Sequence, residues 1–88
     1  MTSRMMDVSV IASVVATAQN IAINGRPFLI SNTGAQPLYI HPSQTATAAN
    51  GFLIPANTTI PYKFTCSGNL SVISNATGTS VAVLLLDV

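Results

Sequence analysis

The chain has 88 residues, of which five are charged, and its formal net charge is +1. A typical soluble domain carries about 25% charged residues, whereas this chain carries 6% and is 49% hydrophobic. A single domain of this size buries a marginal core, and so little charge gives weak protection against self-association. The composition therefore predicts one domain that functions bound to other protein. It argues against a nucleic-acid partner, which needs clustered Lys or Arg.

The N-terminal segment contains an apolar run at residues 8–15. With Arg4 before it and an Ala-x-Ala site after it, the run loosely resembles a secretory signal, but Asp7 and two serines interrupt that pattern. No run reaches the ~18–20 apolar residues of a transmembrane helix, so no membrane association is expected. We expect residues 1–18 to form an extended arm or strand that adds to a neighbour's sheet, and residues 19–88 to form a single β domain.

Short strands separated by turn residues are predicted throughout the chain, because β-branched residues dominate the apolar positions. Gln19–Ile23 is predicted as a strand, and Asn24-Gly25 is the turn expected before a second strand at Phe28–Asn32. The Ser/Thr/Gln/Ala stretch at Pro42–Ala49 is predicted as a surface loop. This spacing indicates an all-β fold, either a small antiparallel β-sandwich or a barrel.

The clearest predicted strand is Thr58–Cys66, which alternates between apolar and polar residues. Its apolar face, predicted to lie in the core, consists of Ile60, Tyr62, Phe64 and Cys66. Pro61 cannot donate a hydrogen bond to a ladder, so the strand should lie at a sheet edge or contain a local break. The turn residues at 67–69 predict a hairpin that returns through Leu70–Ser74.

Two runs, 8–15 and Val81–Leu86, are apolar on both faces, as in strands that are covered on both sides. An 88-residue chain has too little material to cover both, so another chain is expected to cover one face. A sandwich strand with a small exposed apolar patch is the alternative. The residues predicted to form a protein interface are Val8, Val10, Ile11, Val14, Tyr39, Phe52, Leu84 and Leu86.

Groups able to carry catalysis are few. Nothing in the sequence places His41, the only histidine, beside Asp7 or Asp87, as a hydrolytic triad would require. Cys66 continues the apolar face of its strand and is expected to be a buried, unreactive thiol. Cys66 and His41 are too few to hold a metal, and no Gly-rich phosphate loop is present. The sequence therefore predicts no enzyme activity, no metal and no cofactor.

Three segments carry a resemblance to a known class of proteins. They read ISNTGAQPLYIHP, NGFLIPANTTIPYKF and NLSVISNATGTSVAVLLLDV, and all lie from Ile30 onward. Their pattern resembles bacteriophage capsid decoration (cement) proteins and related minor head proteins, although this chain has Ala56-Asn57 where such sequences often have Pro-Gly. The resemblance implies a jelly-roll-like or barrel-like β domain bound outside an icosahedral head, with the major capsid protein as partner and no catalysis.

The leading hypothesis is therefore a non-enzymatic structural protein on the capsid surface of a virion. It would stabilise contacts between major capsid subunits, as a homo-oligomer that is a dimer or a trimer. The alternatives are a tail or neck component of the virion, and a secreted or surface-displayed lectin-like module that binds through its Ser/Thr/Asn-rich loops.

Overall fold

The chain forms two antiparallel four-stranded sheets in the computed structural model, which describes residues 7–86 and, of residues 7–10 and 12, the backbone alone. The strands are β1 (Asp7–Val14), β2 (Gln19–Ala22), β3 (Phe28–Asn32), β4 (Leu38–His41), β5 (Phe52–Ile54), β6 (Thr58–Phe64), β7 (Asn69–Ile73) and β8 (Thr79–Leu85). Sheet I has the order β1-β8-β3-β6 and sheet II the order β2-β7-β4-β5. The two sheets make the predicted all-β sandwich.

The topology follows from one long hairpin. β1 pairs with β8, β2 with β7, β3 with β6 and β4 with β5, all antiparallel. The tip of this hairpin is the loop between β4 and β5. The hairpin is rolled up, so that β8 also pairs with β3 and β7 also pairs with β4. Eight strands joined in this way form a jelly roll.

The core lies between the sheets and is built by alternation along the strands. Every second residue of β3, β4 and β8 is buried, as the period of two predicts for strands with one face on a core. The buried hydrophobic cluster consists of Val14, Ile21, Ile23, Phe28, Ile30, Leu38, Ile40, Ile54, Cys66, Leu70, Val72, Val81, Val83 and Leu85.

The predicted hairpin at residues 67–69 does not form, because this turn carries the chain from β6 in sheet I to β7 in sheet II. Asn24 and Gly25 do form the predicted turn, with φ angles of 55° and 77°. They connect β2 in sheet II to β3 in sheet I. The connection from β6 to β7 runs alongside. Ile23 N and Asn24 N donate to Gly68 O, and Gly25 N donates to Cys66 O. The two crossings therefore hydrogen-bond to each other.

β6 is an edge strand with a local break, as Pro61 predicted. Phe28 pairs with Phe64 but Ile30 pairs with Ile60, so β6 carries two extra residues that bulge out of the ladder. Tyr62 lies in this bulge and is 71% exposed, so its prediction as a core residue is wrong. Ile60 and Phe64 are partly buried and pack against the core.

β1 is a strand of the sandwich itself. Its ladder with β8 runs from Asp7, opposite Leu85, to Ile11, opposite Val81, and a register shift follows before Val14. β8 of the same chain is the ladder partner of β1, so residues 7–14 of the expected arm form an extended strand of the sandwich. Their addition to a neighbour's sheet stays a prediction. Residues 1–6 lie outside the described residues.

A buried polar residue joins the two sheets at one end of the sandwich. Asn32, at the end of β3, is fully buried. Its Nδ2 donates to the carbonyls of Gln36 (2.8 Å) and Ile54 (3.0 Å). Its Oδ1 accepts from Gly34 N (3.2 Å) and Thr79 Oγ1 (2.7 Å). Because all of these groups are satisfied, the side chain links β3, β5 and β8 without the cost of an unpaired buried amide.

Candidate protein interface

An apolar groove opens between the sheets at the end of the sandwich away from Asn32. It encloses about 190 Å³. Its lining residues are Phe28, Ile40, Pro42, Phe52, Phe64, Thr65 and Leu70. We refer to it as the phenylalanine groove.

Strand pairing within each sheet sets the groove-lining side chains opposite one another. Phe28 lies opposite Phe64 in sheet I, and Ile40 lies opposite Phe52 in sheet II. The rings of Phe28 and Phe64 are 5.9 Å apart and inclined at 51°, a tilted arrangement that aromatic pairs favour. Phe52 stays 59% exposed because β5 is a three-residue edge strand with no further strand beside it. The groove therefore presents an aromatic ring to solvent.

The large hydrophobic side chains that the described part of the chain exposes lie on β5 and β6. Phe52 and Leu53 (49% exposed) belong to β5, and Tyr62 belongs to β6. These strands are the edges of the two sheets on the same side of the sandwich. Concentration of exposed apolar groups on one side is typical of an interaction surface rather than of single surface residues.

A second apolar hollow of about 190 Å³ lies on the outer face of sheet I. Its lining residues are Leu29, Ile30, Ser31, Thr59, Ala82 and Leu84. At its polar side the hydroxyl groups of Ser31 and Thr59 are hydrogen-bonded at 2.8 Å. We refer to it as the sheet I hollow. It arises because β8 carries apolar residues on both faces.

The predicted interface residues with surface area fall on separate surfaces. Phe52 lines the phenylalanine groove and Leu84 lines the sheet I hollow. Tyr39 is half-buried and pairs with Leu53 and Ile73 in sheet II. Leu86 is half-buried just after β8. The structure therefore does not gather these residues into one site.

The other four predicted interface residues belong to β1. Val14 is fully buried in the core, so it offers no surface to a partner. Ile11 is partly buried against the core. Val8 and Val10, described by their backbone alone, pair with residues of β8, Val8 with Leu84. β1 is an edge strand of sheet I, so the side of its backbone away from β8 has no strand beside it among the described residues.

Sequence reasoning missed Leu53, Tyr62 and Leu29. The adjacent pair Phe52-Leu53 carries a signal, because consecutive residues of a strand point to opposite faces and a three-residue edge strand cannot bury both. For Tyr62 the signal was Pro61, since a break in the ladder also breaks the alternation that places side chains on one face.

His41 lies at the end of β4. Nδ1 of His41 accepts hydrogen bonds from Ser43 N (3.2 Å) and Gln44 N (3.0 Å), so this nitrogen anchors the loop after β4. Among the described residues, no three His, Cys, Asp or Glu side chains lie together as metal ligands. The same residues include no helix long and apolar enough to cross a membrane.

Cys66, which follows the groove-lining Thr65 in the chain, is buried. Burial raises the pKa of its thiol, and a hydrogen bond with the backbone of Gly68 partly opposes this effect. The thiol donates to Gly68 O at 3.8 Å. A thiol with a raised pKa carries little thiolate at neutral pH, so Cys66 is a poor nucleophile here.

A third depression, of about 420 Å³, is polar and uncharged. Its lining residues are Asn20, Pro42, Ser43, Gln44, Thr45, Ser67, Gly68, Asn69 and Ser71. One wall is the loop after β4, which is held in place where Ala46 N donates to Ser71 Oγ at 2.9 Å. We refer to it as the polar groove.

No family model and no curated protein matches this chain. Among solved structures it is similar to one described by the words "Bacillus endospore appendages form a novel family of disulfide-linked pili". The identity is 18% and the TM-score is 0.49, over 96% of this chain and 88% of that one. A likeness at this level carries no argument about what the chain does.

Proposed function

We propose that this chain is a non-enzymatic structural protein that binds the outside of a bacteriophage capsid and stabilises contacts between major capsid subunits. Its partners are the major capsid protein and further copies of itself, and its location is the virion surface. The observation that carries the proposal is the phenylalanine groove together with the exposed hydrophobic side chains of β5 and β6.

The groove supports a role in protein docking because its lining is apolar and carries no titratable side chain. Aromatic residues are enriched at the buried centres of protein interfaces. Burial of Phe52 and Tyr62 against a partner would remove apolar area from water, at about 25 cal/mol per Å².

The charge distribution supports the same role. The exposed side of β5 and β6 carries one charged residue, Lys63, and interface centres are depleted in charge. A capsid repeats one docking site many times, so modest affinity per site stabilises the whole shell. The choice of a phage capsid as the partner comes from the sequence resemblance.

The proposal is tested by mass spectrometry of purified virions from the source, with heads and tails separated. We expect the chain in the head fraction, in many copies per particle. Its addition to heads that lack it should raise the temperature at which they release DNA. Absence of the chain from virions would refute the proposal, and its presence in the tail fraction alone would favour a tail or neck component.

A matched pair of variants tests whether the phenylalanine groove is the surface that binds the capsid. Phe52→Ser should abolish co-sedimentation with heads, whereas Ala48→Ser, an exposed change in the loop before β5, should leave co-sedimentation unchanged. Equal binding by both variants would exclude the phenylalanine groove as the docking surface.

The polar groove favours a second candidate, a lectin-like module. Its amide and hydroxyl groups can donate and accept hydrogen bonds without charge, which suits a carbohydrate. A glycan array with the free protein tests this function. Binding to one glycan that is lost in Asn69→Ala but kept in Phe52→Ser would support the lectin-like module over capsid docking.

A further inference from the structure

The four strand edges of the sandwich differ in how well they are protected against pairing with another chain. An exposed edge is a template for another strand, and proteins block it with prolines, charges, bulges or short strands. β6 carries Pro61, Lys63 and its bulge. β2 and β5 have four and three residues.

β1 is the least protected of these four edges over its regular part, because its register shift lies after Ile11. It has eight residues, DVSVIASV, with no proline, lysine or glycine and a single charge at its first position. At its far end the side chain of Gln19 donates to Ser13 O at 2.9 Å, which satisfies one carbonyl there. The regular ladder with β8 covers Asp7–Ile11, before the register shift. Of the edges that the structure describes, residues 7–11 of β1 are thus the least protected against a further strand.

We propose that β1 pairs antiparallel with β1 of a second copy of this chain, so that the two copies of sheet I form one continuous eight-stranded sheet. A strand that pairs with β1 must itself be free and uninterrupted. Among the strand edges that the structure describes, residues 7–11 of β1 fit that requirement best, so we take an identical copy, related by a two-fold axis, as the source of the added strand. An interface of this kind uses the same strand on both copies.

The charge pattern fits this self-pairing. With the two-fold axis at Ser9, the centre of Asp7–Ile11, Val8 lies opposite Val10 of the second copy and Asp7 lies opposite Ile11. The two Asp7 residues are then separated by four residue steps, about 13 Å along the strand. This distance exceeds the Debye length of about 8 Å at physiological ionic strength, so their repulsion is screened.

The pairing also has a geometric consequence. A two-fold axis perpendicular to the sheet leaves the outer faces of both copies on the same side. The two sheet I hollows, each lined by Leu84 and Ala82, then face one common partner surface. The dimer itself does not rest on the proposed capsid function, and its test needs no capsid.

Sedimentation equilibrium of the full chain at micromolar concentrations should give twice the monomer mass of 9.1 kDa. Val8→Lys together with Val10→Lys sets like charges directly opposite across the axis, twice per dimer, and should weaken dimerisation at least about tenfold. Val8→Lys together with Val10→Glu sets opposite charges there and should retain the dimer. Tyr62→Lys, on the protected edge, should leave the dimer unchanged.

Amide hydrogen exchange of the unmodified chain gives a second measurement that does not depend on how the variants fold. The amides of residues 7–11 should exchange more slowly as protein concentration rises, while those of β6 should not change. A monomeric chain, equal dimerisation of the Lys/Lys and Lys/Glu variants, or exchange at residues 7–11 that is independent of concentration would each overturn the proposal.

Discussion

The two ends of the sandwich are closed in different ways. At one end, Asn32 joins β3, β5 and β8 through four hydrogen bonds, and none of its polar atoms lacks a partner. At the other end, Phe28 and Phe64 form one wall of a groove, and Phe52 reaches into solvent. We refer to the end closed by the hydrogen bonds of Asn32 as the sealed end and to the end that carries the phenylalanine groove as the open end.

The two ends therefore have different roles: the sealed end fixes how the two sheets are arranged, and the open end is suited to binding a partner. Hydrogen bonds to a buried amide have fixed geometry, so the Asn32 end favours one arrangement of the two sheets. Apolar contacts are not directional, so the open end can accept a partner's side chains without disturbing that arrangement. Mutations at the sealed end should lower the free energy of unfolding, whereas mutations of exposed residues at the open end should weaken binding to a partner.

Asn32→Leu should have the largest effect on stability. The change leaves the Thr79 hydroxyl, the Gly34 amide and two carbonyls without their partner in a buried site. At about 1–3 kcal/mol for each unsatisfied group, and with partial relaxation, the free energy of unfolding should fall by about 3–5 kcal/mol. Urea denaturation followed by circular dichroism measures this loss.

Thr33→Ala is the matched control for that variant. Thr33 is the next residue and is exposed, and its hydroxyl bonds to Ser80 Oγ at 2.7 Å within reach of water. Its removal should cost less than about 1 kcal/mol. If Asn32→Leu is no more destabilising than Thr33→Ala, the polar network does not hold the sheets together.

Two phenylalanines of the open end should respond differently to truncation. Phe28→Ala removes a buried ring from the core and should cost about 3–5 kcal/mol. Phe52→Ala removes a ring that is already 59% in water and should cost less than about 1 kcal/mol. Thermal and urea melts of the free protein give both values. Equal losses would mean that Phe52 is part of the core, and the groove would then not be an open surface.

The sequence was sufficient to predict the sandwich, the edge position of β6 and the turn at Asn24-Gly25. These features depend on local properties: alternation, the missing N–H of Pro61 and the φ angles of a tight turn. It did not predict which strands pair. β2 pairs with β7 and β3 with β8, and such contacts between distant segments are decided by the packing of the whole core.

The candidate site was predicted in part for the same reason. Leu84 and Ile11 could be chosen as candidate surface residues because their apolar runs exceeded what one core can cover. Val14 could not be told apart from them, since an apolar run does not say which of its faces points inward until its partner strand is known. Tyr62 required knowledge of the bulge, whose position depends on the pairing of Phe28 with Phe64.

The smallest expected effect concerns the reactivity of the Cys66 thiol, which reports how well the open end of the sandwich is packed. Burial raises the pKa of its thiol, so the folded state holds this proton more tightly than the unfolded state does. Stability from this group is complete below the unfolded pKa, about 8.5, and declines as pH rises above it. At pH 8 the folded chain should therefore react with iodoacetamide at least about tenfold more slowly than the chain in urea.

Phe52→Ala should increase that rate modestly if motion at the groove admits the reagent, whereas Thr33→Ala at the sealed end should not change it. A folded chain that reacts as fast as the unfolded one would show that this end of the sandwich is not packed around Cys66.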